Sequence, residues 1–546
     1  MRRLALGTLV FVLVAGLAAG GVFAFRFLRG AGDRIASLVP DDTAVYATAY
    51  LDPSGGQKLA ALGLLGKFPN LGSQSRLDSA INDLLDRSLS PTGLNHNDVR
   101  PWAGSQLAVV VSSRTPASST DGKSGPSVAF LVSSTDDSKA QAALTKFESG
   151  AYGRQSTWTT RTHGGTIVNM GTRHDTGELA TWAVVAGAVV IGNRSDITDE
   201  IIDTGQGNHP ALASTPDFTT VNGQLPSDRL GLAYVDVPKV VSLISGTLRS
   251  RGTSGPLAAL GAYHGAELVV SAMSDGVALD GALDFDRSKL PSSARPPLDV
   301  PPHLNSTLSF VPRHAFGFEA FTGLPQLIRS VLDQLASSSA GADGAAGLAF
   351  IKPLLTHLTG DAAIEVEPGA GHTVPAGAFL FGVDSESAAQ GLFTTLSQFG
   401  CGASGSCSPA STSTQSYRGT TITTLTISPD LSAHGLAPSW AASGGMAIVA
   451  STPDEVKAVL DAHAGSGVAS SAGYQAMIQH VDSSNNALLY IDVSAVAAAI
   501  RSALPPEAAQ QFDSKVAAYL GPFKALVLSS RNQPDRATVR AFVAIR

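Results

Sequence analysis

One stretch of this chain occurs twice, and the repeat constrains the fold more than any other feature. Trp182–Ile202 (WAVVAGAVVIGNRSDITDEII) and Trp440–Leu460 (WAASGGMAIVASTPDEVKAVL) lie 258 residues apart. In each copy a tryptophan begins an apolar run that contains a pair of small residues, and an acidic helix start follows. We therefore expect both stretches to form the same strands, turn and helix.

Matches on either side extend the repeat over most of the chain. Leu232–Val237 (LAYVDV) corresponds to Leu488–Val493 (LLYIDV), and Ala129–Leu131 corresponds to Ala378–Leu380. The order of the segments is kept while the loops differ in length. This pattern predicts an internal duplication that gives two similar modules.

A proline-rich stretch separates the two copies. It has no apolar periodicity and is typical of a semi-stiff spacer. We predict a first module at residues 38–286, a linker at 287–303 and a second module at 304–546. The sequence leaves open how the two modules pack.

Hairpin signals indicate the fold class. Glu267–Met273 and Val277–Phe285 flank Ser274-Asp275-Gly276, and adjacent strands without an intervening helix recur in both copies. A purely parallel sheet is therefore not expected. We predict an α+β fold in which each module is a mainly antiparallel β-sheet with helices on one face.

The chain begins with a long uncharged segment. Leu4–Phe25 contains 22 residues without a charge and follows two arginines. As a helix it would span roughly 33 Å, which is enough to cross the hydrocarbon core of a bilayer. The run is longer than the apolar core of a typical cleaved signal peptide, so we predict a membrane anchor at residues 1–30, with cleavage as the alternative.

The long body that follows this segment is expected outside the cytoplasm, because large domains translocate largely regardless of charge. We predict a single-pass membrane protein, or a secreted one if the segment is removed. In such a compartment Cys401 and Cys407, six residues apart in CGASGSC, favour a small local disulfide.

Charge and motifs exclude several functions. The net charge of −7 and the lack of a basic run argue against nucleic-acid binding. The twelve histidines show no metal-binding spacing, and His163-Gly164-Gly165 lacks the Gly-x-Ser-x-Gly partner of an esterase. We expect no cofactor, no metal and no catalytic residue.

Four residues at the ends of matched strands are the candidate site positions. Asp236 and Asp492 are either paired carboxylates or caps of the helices that follow, and capping is favoured. Tyr234 and Tyr490 either line a ligand groove or belong to the core. The second interpretation is favoured because their neighbours are apolar.

Three segments carry a resemblance to a known family: residues 38–53 (LVPDDTAVYATAYLDP), 189–203 (VVIGNRSDITDEIID) and 225–237 (LPSDRLGLAYVDV). The chain resembles an uncharacterised bacterial family, number 3352 among the domains of unknown function, from Leu38 to the C-terminus. The resemblance implies an envelope protein with one N-terminal anchor, and it supplies no catalytic residues. The loop with the two cysteines departs from the family pattern.

These observations favour a non-enzymatic, membrane-anchored envelope protein that binds a ligand or a partner. Strands rich in Ala, Gly and Val would permit a crevice for lipid, but they would equally form a dry core. The alternatives are an extracytoplasmic hydrolase whose site is assembled by the fold, and a structural spacer.

Overall fold

The computed structural model describes residues 33–68, 74–114, 125–151, 153–249, 260–337, 355–368, 375–399, 411–426 and 435–546. The chain divides into two compact units, Met1–Lys289 and Leu290–Arg546. The predicted anchor at residues 1–30 and the two cysteines, Cys401 and Cys407, lie outside the described residues. No helix within these described ranges is long and apolar enough to span a membrane.

The first unit interleaves strands and helices. Its elements are β1 (Thr43–Tyr50), α1 (Gly55–Leu65), α2 (Gln74–Leu89), α3 (His96–Val99), β2 (Ala103–Ser112), β3 (Val128–Ser134), α4 (Asp137–Ser149), β4 (Ser156–His163), β5 (Thr166–Arg173), β6 (Leu179–Val185), β7 (Ala188–Gly192), α5 (Ser195–Gly205), α6 (Pro216–Asn222), β8 (Gly231–Asp236), α7 (Val237–Arg249), β9 (Tyr263–Met273) and β10 (Gly276–Phe285). The strands form one antiparallel sheet in the order β10-β9-β8-β1-β2-β3-β7-β6-β5-β4.

The second unit has its own set. Its elements are β11 (Gly317–Phe321), α8 (Leu324–Ser337), β12 (Leu358–Glu367), β13 (Ala376–Val383), α9 (Glu386–Phe399), β14 (Ser411–Tyr417), β15 (Thr420–Thr426), β16 (Ser439–Ser443), β17 (Met446–Ala450), α10 (Pro453–Asp461), α11 (Ala472–Ile478), β18 (Ala487–Ile491), α12 (Val493–Ala503), α13 (Pro506–Phe512), α14 (Ala518–Leu520), β19 (Phe523–Asn532) and β20 (Arg536–Ile545). The antiparallel order is β20-β19-β18-β11-β12-β13-β17-β16-β15-β14.

The strand pairings of the two units correspond one to one. In the first unit Tyr46 pairs with Val110 on one side and Tyr234 on the other. In the second unit Phe318 pairs with Glu365 and Tyr490 in the same way. The predicted α+β class with antiparallel sheets is confirmed, and the paired registers define which positions correspond.

The small pairs noted in the sequence form the tight turns of hairpins. Ala186 and Gly187 join β6 to β7 with φ of 47° and 77°, and Gly444 and Gly445 join β16 to β17 with φ of 63° and 75°. Two successive positive φ values define the turn whose twist matches paired strands. Small residues are favoured there because a side chain strains this backbone region.

Helices cover both faces of the first sheet, so the prediction of helices on one face is wrong for this unit. Ile197 and Ile201 of α5 pack in a cluster with Ala183 and Val190. The helix α4 instead packs in a cluster with the adjacent strand residues Trp182 and Val189. Neighbouring residues of a strand point to opposite faces. Strands β6 and β7 are apolar at both sets of positions, and each face therefore needs a cover.

Candidate functional site

The two candidate carboxylates lie at helix N-termini. Asp236 accepts a hydrogen bond from the backbone N–H of Lys239 at 3.0 Å and pairs with the ammonium of the same residue at 2.7 Å. Asp492 accepts from the backbone N–H of Ala495 at 2.8 Å. Both side chains therefore bond within the first turn of the helix that follows their strand, α7 or α12.

The two candidate tyrosines lie on the buried face of their sheets. The ring of Tyr234 meets Phe218 edge-on at a centroid distance of 5.1 Å, and Tyr490 contacts Phe318 and Tyr474 at 5.8 and 5.6 Å. Burial raises the pKa of Tyr490 to about 12. Neither ring faces an open groove, because both side chains are buried.

A different surface stands out in the central strands of the first unit. One face of β1, β2, β8 and β9 is buried, while the opposite face is only half covered although it is apolar. Leu268 of β9 is 40% exposed on that face. The face consists of Val45, Ala47, Ala49, Val109, Val111, Ala233, Val235, Leu268 and Val270.

The second unit repeats this arrangement with larger side chains. Ile364 and Val366 of β12 are 49% and 42% exposed. They share a face with the exposed Glu319 of β11, which pairs with Ile364. Leu489, Ile491, Leu526 and Leu528 continue the face as half-buried residues. We call these residues of the second unit, with their counterparts in the first, the open apolar faces.

The helices next to these strands are shallowly buried. The helix α12 contacts β19, and none of its residues is buried although its sequence is VSAVAAAIRSA. Ile500 on α12 is half exposed, as are Leu327 and Val331 on α8, which contacts β12. Apolar side chains on the solvent side of both sheet and helix mark a surface suited to an apolar ligand.

Three glutamates form an acid cluster on the buried side of the second sheet. Glu365 and Glu367 are two residues apart on β12 and therefore lie on the same face, and Glu455 lies in the first turn of α10. Glu365 and Glu455 are 1% and 2% exposed, and their four carboxyl oxygens accept no hydrogen bond from a donor in the described part of the chain. These three glutamates are not among the site residues predicted from the sequence.

The ionisation of the acid cluster is strongly perturbed. Burial is the main cause that raises the pKa of Glu365, Glu367 and Glu455 to about 8. The charge of Glu367 raises the pKa of Glu365 further, and that of Glu365 acts in the same direction on Glu455. Carboxyl groups in such a setting hold protons near neutral pH. No group of acidic, histidine or cysteine side chains in the described residues has the geometry of a metal site.

A polar hollow of about 290 Å³ in the second unit bears on the hydrolase alternative. His303 on its wall bonds Asp361 through Nε2 at 2.7 Å, and its Nδ1 lies 3.0 Å from the carbonyl of Pro301. The Ser306 hydroxyl donates to Asp361 at 2.7 Å and not to the imidazole. Both contacts raise the pKa of His303, the Pro301 carbonyl first. This arrangement of Ser306, Asp361 and His303 therefore lacks the serine–histidine hydrogen bond that activates a nucleophile.

Comparisons with known proteins confirm the resemblance noted above. A model described as "Protein of unknown function (DUF3352)" matches residues 4–544. Among solved structures, crystal form I of TP0453 is 9% identical with a TM-score of 0.23, covering 47% of this chain and 80% of that one. Crystal form III of TP0453 is 11% identical with a TM-score of 0.24, covering 47% of this chain and 80% of that one. No curated protein matches the chain.

Proposed function

Because the chain belongs to the DUF3352 family, a family of unknown function, we propose a role from its geometry: a non-enzymatic, membrane-anchored envelope protein that binds lipid acyl chains on its open apolar faces. The observation that carries this proposal is the exposure of Ile364 and Val366 in the middle of an apolar sheet face. A sheet face turned to water is normally polar, and here Glu319 is the one charged residue among the aliphatic side chains that we assign to the face in the second unit.

The choice of lipid as the ligand follows from two features. The faces offer aliphatic side chains with few hydrogen-bonding groups, so they favour a ligand that is itself aliphatic. The uncharged segment Leu4–Phe25 would hold the body beside a bilayer, where acyl chains are the nearest apolar partners. In this proposal the body lies outside the cytoplasm, and the membrane is its first partner.

We also propose that the two units arose by internal duplication. Their identical order of paired strands and their matching tight turns support this origin. Duplication would give each module, 38–286 and 304–546, an open apolar face of its own. The second face has the larger side chains, so it is the stronger candidate for binding.

Native mass spectrometry of the full-length protein, extracted in detergent from cells that export it, tests the proposal. An excess mass that is lost on denaturation, with lipid recovered in the solvent extract, is expected. Substituting serine at Ile364 and Val366 together should reduce the excess, whereas Ile167→Ser, at an exposed isoleucine of β5, should not. A bare polypeptide mass under all conditions would contradict lipid binding and favour a structural spacer.

A further inference from the structure

We infer that the acid cluster of Glu365, Glu367 and Glu455 is a proton-binding site. While it is protonated it stabilises the packing of α10 and β12, and when it ionises this packing is weakened. This inference goes beyond lipid binding and does not depend on it. It stands on the placement of the three side chains, on the lack of side-chain donors around them in the described residues and on a contrast with the first unit.

The three side chains supply acceptors and no donor, and the backbone N–H of Ala378, which lowers the pKa of Glu365, does not offset the effect of burial. Four buried oxygens of Glu365 and Glu455 lack a donor, and no salt bridge in the described residues reaches any of the three glutamates. An ionised carboxylate buried in this way loses its hydration without compensation. A protonated carboxyl gains an O–H donor, and Glu455 of α10 can then bond the neighbouring Glu365 of β12.

The surrounding charged groups do not neutralise the cluster. His314, which is exposed, acts on Glu367 alone. On α10, Lys457 forms a salt bridge with Asp454 at 2.8 Å. On β12, the carboxylate of Asp361 is hydrogen-bonded to His303 and Ser306. The strands β13, β15, β16 and β17, which contact α10, contain no titratable residue. Protons are therefore the cation that this site takes.

The first unit shows that the fold does not require acids at these positions. Val110 corresponds to Glu365 because each pairs with the matching residue of the strand beside it. Ile197 corresponds to Glu455 as the third residue of its helix. Both first-unit residues are fully buried in the core. The second unit thus replaces an apolar contact between strand and helix with a titratable one.

Infrared spectroscopy and hydrogen exchange of the full-length protein test the inference between pH 5 and 9. The band of protonated carboxyl groups should be present at pH 7 and lost by pH 9. After correction for intrinsic exchange, the opening of β12 and α10 should increase by up to about tenfold per pH unit in the range where the site releases each proton. Glu455→Gln should flatten this dependence, and Glu319→Gln, at an exposed glutamate of β11, should leave it unchanged.

Two results would overturn the inference. One is a wild-type protein without a protonated-carboxyl band at pH 7, and the other is an equally steep pH dependence in Glu455→Gln. If that variant fails to fold, the pair Glu365→Val and Glu455→Ile, which restores the residues of the first unit, carries the same test. Its exchange must then be independent of pH.

Discussion

Replacing Arg229 by methionine is expected to destabilise the first unit more at pH 8 than at pH 5. The Arg229 guanidinium donates to Glu267 at 3.0 Å, and the two residues are only 8% and 3% exposed. The second carboxyl oxygen of Glu267 has no partner in the described residues. Burial raises the pKa of Glu267 to about 7, although the charge of Arg229 lowers it.

The sign of the effect follows from the raised pKa of Glu267. A folded-state pKa above the ordinary 4.5 means that the stability present below pH 4.5 is lost as the pH rises to about 7. Without Arg229 the pKa of Glu267 rises further, so the carboxyl keeps its proton at pH 8 and loses the ionisation that Arg229 stabilises above pH 7, a difference of about 1.4 kcal/mol over one pH unit. At pH 5 the carboxyl is protonated in both proteins, so the loss falls to about one hydrogen bond, roughly 1 kcal/mol.

Urea denaturation followed by tryptophan fluorescence measures this difference. The chain has four tryptophans, and Trp440→Phe leaves the three of the first unit as reporters. In this background Arg229→Met should lower the free energy of unfolding by about 1.4 kcal/mol more at pH 8 than at pH 5, the equivalent of the one pH unit between the pKa of Glu267 and pH 8. Adding Glu267→Gln should abolish the pH dependence. Equal losses at both pH values would contradict this prediction, because the pKa of Glu267 in the folded protein would then not depend on Arg229.

Three further outcomes are expected. Serine at Ile364 and Val366 together should weaken lipid binding by about 30-fold in a fluorescent fatty-acid titration, because each half-exposed side chain loses roughly 1 kcal/mol of apolar burial; no change relative to Ile167→Ser would exclude this face. Asp492→Ala should raise hydrogen exchange in α12 by about fivefold through the loss of a cap worth about 1 kcal/mol, with Asp492→Ser near wild type. Ala186→Gly should raise the urea midpoint of the first unit, since glycine relieves up to about 1 kcal/mol of strain at a φ of 47°, and a lower midpoint would contradict this.

The parts of the fold that depend on local chemistry were predictable from the sequence. The pair Gly444-Gly445 fits a tight hairpin turn, and the structure shows that turn. The strand endings at Asp236 and Asp492 indicated caps, and both carboxylates bond helix N-termini. In each case a few adjacent residues determine the geometry, so no long-range contact is needed.

The features that depend on distant contacts were not predictable in this way. Glu365 and Glu455 are ninety residues apart, and only the pairing of β12 with β13, and of β13 with β17, brings the two side chains together. One signal was available: the first copy has valine and isoleucine where the second has these two acids. The covering of both sheet faces was missed because apolar runs such as the one beginning at Trp182 serve two faces at once.

Photo-crosslinking with a lipid that carries a diazirine on its acyl chain tests the central claim most directly. The full-length protein is labelled in vesicles, and the labelled peptides are identified by mass spectrometry. If the open apolar faces bind lipid, label is expected on the peptides of β12, which carry Ile364 and Val366, and of β9, which carries Leu268. The β12 label should be lost when serine replaces both Ile364 and Val366. Label confined to Leu4–Phe25 would contradict the claim that the open apolar faces bind lipid.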